Sequence, residues 1–153
     1  MQAEELVKRF CEREGIPFEV NASGSFSLDC DGLTVNIRSH DEGRRLSLAG
    51  EVSHGAPGED CEPLYRAMFE AQHLYAGTFG AVFSINPDTG VLTLFRMIEC
   101  EGLELEGFFD HLGNFVTVLE LWTRVVARYD PQKAPQAGEP EQPFPPFAGA
   151  IRV

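Results

Sequence analysis

Apolar residues recur along this chain with two different periods, and the switches between them mark out its elements. From Glu4 to Glu14, Leu6, Val7, Phe10 and Cys11 fall at helical spacing, while Glu4, Glu5, Lys8, Glu12 and Arg13 occupy other positions. That pattern predicts an amphipathic helix, ended by Gly15 and Pro17. Alternation of period two follows. Phe26, Leu28 and Cys30 share one face of a strand, Leu33, Val35 and Ile37 a face of the next, and Asp31-Gly32 between them is a favoured hairpin turn. After the polar turn Ser39 to Gly43, Leu46, Leu48 and Val52 predict a third strand, completing an antiparallel meander.

The Gly/Pro loop His54 to Gly58 leads into a second helical pattern, from about Glu59 to Tyr75, with Pro63 tolerated in its first turn. Leu64, Met68, Ala71 and Tyr75 form one apolar stripe, and Tyr65, Phe69 and Leu74 spread over the rest of the circumference. Such a helix needs cover on both sides, and a small sheet covers only one. Phe79, Ala81, Phe83 and Ile85 then alternate with Gly80, Val82 and Ser84, and Asn86 to Gly90 turns the chain into Val91 to Ile98, a second hairpin. From Glu104 to about Arg128, Leu105, Phe108, Phe109, Leu112, Phe115, Val116, Leu119, Trp122 and Val126 recur every three or four residues, predicting the longest helix. The fold class expected is α+β in the order α-β-β-β-α-β-β-α, with a twisted antiparallel sheet packed against helices. Residues 1–129 form one domain on this reading, and 130–153, with six of the ten prolines and no periodicity, form a Pro-rich mobile tail.

Charge narrows the function classes. The formal net charge is −12, of which the tail carries only −1, so the acidity belongs to the domain. A charge of that sign repels phosphate backbones and anionic headgroups, which argues against nucleic acid and membrane partners. Met1 to Val20 mixes acids with its bases and has no continuous apolar run, so neither a signal peptide nor a transmembrane span is expected, and the protein is placed in the cytoplasm. Cys11, Cys30, Cys61 and Cys100 are too far apart for a metal knuckle and read as reduced thiols.

Short motifs add little chemistry. Asp88-Thr89-Gly90 matches the aspartic protease tripeptide, but Asn86-Pro87 before it makes a turn rather than a buried strand. Asp29 to Gly32 opens like a calcium loop without the later ligands, and Asn21-Ala22-Ser23 is a glycosylation sequon in a chain with no secretory signal. His40, His54, His73 and His111 are scattered, and Gly77 to Gly80 lacks the Lys and hydroxyl of a phosphate loop. Glu99, Glu101, Glu104 and Glu106 suit the positive end of the last helix and a solvated loop. No catalytic, cofactor or metal site is expected, and the chain reads as a non-enzyme. Two readings of the remaining signal stay open: surplus apolar surface for binding proteins, or a well-filled ordinary core.

The element order resembles the CesT/Tir-chaperone family of class I type III secretion chaperones, over about Leu6 to Arg128. The resemblance rests on Gly80-Ala81-Val82-Phe83-Ser84-Ile85-Asn86-Pro87-Asp88-Thr89-Gly90-Val91-Leu92-Thr93-Leu94, followed by Leu105, Phe108, Leu112, Phe115, Val116 and Trp122. The chain departs from many relatives at Ala71-Gln72-His73-Leu74, where they have a Leu-x-x-Asn-like helix ending, and in its Pro-rich tail. The resemblance implies a homodimer without ATPase activity, wrapped by a segment near the N-terminus of one or more secreted effectors and keeping them soluble and secretion-competent. It also implies the secretion apparatus ATPase as a partner. On this resemblance Leu6, Phe10, Ile16, Phe18, Phe26, Leu28, Val35 and Ile37 receive the effector, which would add a strand to an open sheet edge. Tyr65, Phe69, Leu74 and Phe83 make the dimer contact. The competing expectations are a small ligand-binding or enzymatic domain using the acidic loop 99–106 and His111, and a regulator that sequesters another secretion protein.

Overall fold

The first helix forms where its spacing puts it. α1, Ala3–Glu14, buries Ala3, Leu6, Val7, Phe10 and Cys11, and Gly15 closes it in the left-handed conformation at φ 67°, a backbone state that costs glycine nothing. The computed structural model describes residues 1–129, so the expected tail 130–153 lies outside the described residues.

β1 (Ser25–Cys30) and β2 (Leu33–His40) pair antiparallel through Asp31-Gly32, both at positive φ, as a two-residue hairpin requires. β3 (Arg45–Glu51) continues the meander. α2 (Glu62–Gln72) crosses to β4 (Val82–Ile85) and β5 (Leu92–Glu99), and α3 (Leu105–Tyr129) ends the described chain. The five strands form one antiparallel sheet in the order β1-β2-β3-β5-β4. The expected α+β order is therefore what the structure has, and β1 and β4 are left as the sheet's edges.

One sheet face carries Phe26, Leu28, Val35, Ile37, Leu46, Leu48, Leu92, Leu94 and Ile98 into a core that the helices complete with Leu6, Phe108, Phe115, Leu119 and Trp122. Burying each such side chain is worth about 1.5–3 kcal/mol. α3 lies so close on β3 that a Cβ at Gly50 would come within 2.5 Å of Leu119. A larger residue there would force the buried Leu119 side chain out of its place, at a cost of about 1–3 kcal/mol.

Two elements are shorter than their patterns predict. α2 stops at Gln72 because Leu74 and Tyr75 take left-handed conformations, φ 53° and 58°, and only a single 3-10 turn follows it. β4 starts at Val82 because Phe79 and Gly80 sit at φ 50° and 85°. Apolar periodicity runs through both places, and the backbone leaves the regular conformation regardless.

Candidate functional site

Two apolar regions remain at the surface of this acidic chain, one beside each sheet edge. The first is a groove of about 150 Å³ between α1 and the start of β1, lined by Ala3, Val7, Phe18, Val20, Phe26 and Ile37, with Glu4 at its rim. Phe18 stacks on Phe26 at 5.7 Å between centroids, and the Lys8 ammonium sits 5.5 Å over the Phe18 ring. Val20 is 50% exposed. A bridge between Val20 and Phe26 lays the chain against the first part of β1's outer edge, held by the Asn21 side-chain oxygen, which accepts from the Ser23 and Ser25 amides at 3.0 Å. Toward Cys30 the outer edge of β1 has no strand neighbour among the described residues.

This geometry revises the residues assigned to effector contact. Leu6, Phe10, Phe26, Leu28, Val35 and Ile37 are buried in the core of the chain itself. Phe10, for example, packs edge-on against Phe108 at 5.6 Å and beside Phe109 at 5.0 Å. Phe26 and Ile37 still form the groove floor, whereas Leu6, Phe10, Leu28 and Val35 do not line it. Only Ile16 and Phe18 are partly exposed. Alternation in the sequence marks which residues share a strand face, and α1 and α3 roof that face. Val20 was missed, although Phe18-Glu19-Val20 already alternates apolar and acidic after the helix stop.

The second region lies between α2 and β4. Tyr65, Met68, Phe69, Phe83, Ile85 and Leu92 enclose a cavity of about 260 Å³. Phe69 is 74% exposed, Leu74 83%, and Tyr75 and Ile85 just over half. Of the four residues assigned to self-association, Phe69 and Leu74 stand in solvent, while Tyr65 and Phe83 are partly buried. Phe83 packs edge-on against Trp122 at 4.7 Å. The Phe83 amide donates to the Gln72 side-chain oxygen at 2.6 Å, and the Trp122 indole N–H donates to the Gly77 carbonyl at 3.0 Å. These bonds hold the segment that keeps Leu74 and Tyr75 in left-handed conformations, each costing roughly 1–2 kcal/mol. Strain is maintained here where large apolar side chains are turned outward.

The acidic loop does not converge on a site. Glu99, Glu101, Glu104 and Glu106 are all exposed, and Glu106 is paired with Arg13. Among the described residues no group of three His, Cys, Asp or Glu side chains could hold a metal ion. His111, named with this loop, is partly buried, and burial together with the Arg96 charge pushes its pKa below the usual value. All four cysteines are free; burial raises the thiol pKa of Cys11, Cys30 and Cys100, with Asp29 and Asp31 adding to the effect at Cys30. Among the described residues no helix is long and apolar enough to cross a membrane.

The sequence profile of the Tir chaperone protein (CesT) family matches residues 5–123. No curated protein sequence gives a significant match. Among solved structures, the chain is similar to the ExsC–ExsE complex at 26% identity and a TM-score of 0.63, covering 80% of this chain and 91% of that one. It is also similar to the HopA1–SchA chaperone–effector complex, at 14% identity and a TM-score of 0.64, with 79% and 92% covered. A third similar structure is the Yersinia pestis type III secretion chaperone SycH with a stable fragment of YscM2, at 15% identity and a TM-score of 0.56, with 77% and 97% covered. At those lower identities the last two bear on the fold alone.

Proposed function

Because this chain belongs to the Tir chaperone protein (CesT) family, we propose that it is a cytoplasmic type III secretion chaperone. On this reading it binds an extended N-terminal segment of one or more secreted effectors and keeps them soluble and secretion-competent without ATP. Residues 1–129 are the binding domain, residues 130–153 an appended tail, and the working form is a homodimer joined across α2 and β4. Delivery would bring it to the secretion apparatus ATPase.

The observation that carries this reading is the α1–β1 groove. It sets apolar Phe18 and Val20 at the surface, beside a strand edge that is open over its second part. An extended segment adding there would gain backbone hydrogen bonds from the edge and apolar contacts from the groove. Likeness to ExsC, which was crystallised with a bound partner protein, supports it.

The test is co-expression with tagged N-terminal segments of the secreted proteins of the same organism, using Phe18→Glu and Val20→Glu. Val20 is half exposed, so Val20→Glu should keep the wild-type circular dichroism and lose at least tenfold in affinity, about 1.4 kcal/mol or more; Phe18, partly buried against Phe26, should lose as much affinity with some loss of stability. Folded variants that bind as well as wild type would remove the groove from the mechanism. Phe10 is unsuitable for this test, since a charge there would break the core.

A further inference from the structure

The α2–β4 cavity is walled by aromatic rings. Tyr65, Phe69 and Phe83 enclose about 260 Å³ together with Met68, Ile85 and Leu92, and no charged side chain among the described residues lines it. Asp60, Glu62 and Glu70 stand around the same Tyr65 and Phe69 on the outer side, where Glu62 is paired with Arg66. An apolar cleft therefore adjoins an acidic rim. Strand addition at Phe83 is already blocked, because its amide on the β4 edge donates to the Gln72 side-chain oxygen. An occupant must dock by its side chains, and aromatic-lined clefts receive proline-rich segments in that way.

The chain itself supplies such a segment. Residues 130–153, outside the described residues, contain Pro143-Phe144-Pro145-Pro146-Phe147, and no side chain from Gln142 to Ile151 is charged. Phe144 and Phe147 are three residues apart, one turn of the polyproline II helix, so that form presents both rings on one side. The prolines have no N–H to offer a strand edge. Arg152 is the only charged side chain after Glu141, and its sign is opposite to that of the rim. The segment also starts close to the cavity. Trp122, whose ring packs on Phe83 at 4.7 Å, precedes Tyr129 by seven residues, so α3 ends about 10 Å along its axis from that wall. Residues 130–143 reach up to about 43 Å at the polyproline rise. A tether of that length holds its far end at an effective concentration on the order of millimolar.

We propose that Phe144 and Phe147 dock on the α2–β4 cavity of their own chain, with Arg152 toward its acidic rim. The docked segment covers Phe69 and Phe83, so a second copy must displace it before two α2–β4 faces can meet. The tail then sets how readily the chain pairs with itself. This contact needs no client and bears on the proposed homodimer only through competition for one face.

The experiment compares the full-length chain with its Phe144→Ser/Phe147→Ser double variant, both labelled with nitrogen-15. The Phe69, Phe83 and Ile85 amide resonances should differ between the two, and those of Phe18 and Val20 should not. Adding the capped peptide acetyl-Gln-Pro-Phe-Pro-Pro-Phe-Ala-amide to the variant should return the three resonances toward their wild-type positions, and a peptide with Ser for both Phe should leave them in place. In sedimentation, the variant should self-associate at least about threefold more tightly than wild type. Identical spectra, or a Phe peptide that moves nothing, would overturn the proposal. Shifts at Phe18 and Val20 instead would place the tail in the α1–β1 groove and overturn it as well. So would a difference that fades on tenfold dilution, since a second copy would then be the occupant. The two uses of the face fail separately. A dimer of equal affinity in both chains, with unchanged spectra, loses the tail contact and keeps self-association; a monomer in both, with the spectral difference present, does the reverse.

Discussion

Thr78 shows what a single atom can cost in this fold. It is 1% exposed, and its hydroxyl has no hydrogen-bond partner. The backbone around it is well served: its amide donates to the Tyr75 carbonyl at 3.3 Å, and its carbonyl accepts from Ala81 at 3.0 Å. A buried hydroxyl left unpaired costs about 1–3 kcal/mol. Thr78→Val exchanges that hydroxyl for a methyl of similar size and should stabilise the chain by about 1 kcal/mol, measured as a higher urea midpoint at unchanged slope. A loss of similar size would mean the hydroxyl is satisfied by a buried water, which Val cannot replace.

At the scale of elements, α2 carries the most informative mismatch between apolar pattern and fold. Its inner stripe, Leu64, Met68 and Ala71, is buried as the spacing requires, while Phe69 on the opposite side is 74% exposed. A single glutamate at that position touches nothing in the core, so Phe69→Glu should change the stability of the isolated chain by less than about 0.5 kcal/mol. If the α2–β4 face joins two copies as proposed, light scattering coupled to size exclusion will show a concentration-stable wild-type dimer and a monomeric variant. A wild-type monomer would assign the face to something other than self-association. The same helix shows where sequence reading succeeds and where it stops. α1, the β1–β2 hairpin and α3 were legible because propensity, spacing and stop signals agree there: Gly15 after α1, Asp31-Gly32 in the turn, an unbroken three-four repeat along α3. The end of α2 was not, because Leu74 and Tyr75 look helical by type and are held otherwise by the distant partners of Gln72 and Gly77, namely Phe83 and Trp122. The groove was half legible. Phe18, Phe26 and Ile37 belong to it, but Leu28 and Val35 share the strand alternation and lie under the helices, and periodicity carries no record of which face is roofed.

Over the whole molecule, charge opposes the fold, and its magnitude can be set against the ion pairs. Residues 1–129 carry a net −11. A sphere of about 18 Å radius with that charge has a self-energy in unscreened water on the order of 10 kcal/mol above that of the expanded coil. Against it stand six surface ion pairs, five of them one helical turn apart in sequence spacing. At about 0.3–0.5 kcal/mol each they sum to about 2–3 kcal/mol at low salt. Salt screens both, and the Debye length falls from about 30 Å at 0.01 M, longer than the body of the chain, to about 10 Å at 0.1 M. Repulsion is the larger quantity and the longer in range, so screening should remove more of it than of the pairs. The urea midpoint is therefore expected to rise between about 0.01 M and about 0.5 M sodium chloride, with most of the gain below about 0.1 M, where the Debye length passes through the size of the molecule. A midpoint that falls over that range would mean that the ion pairs outweigh the repulsion of the net charge.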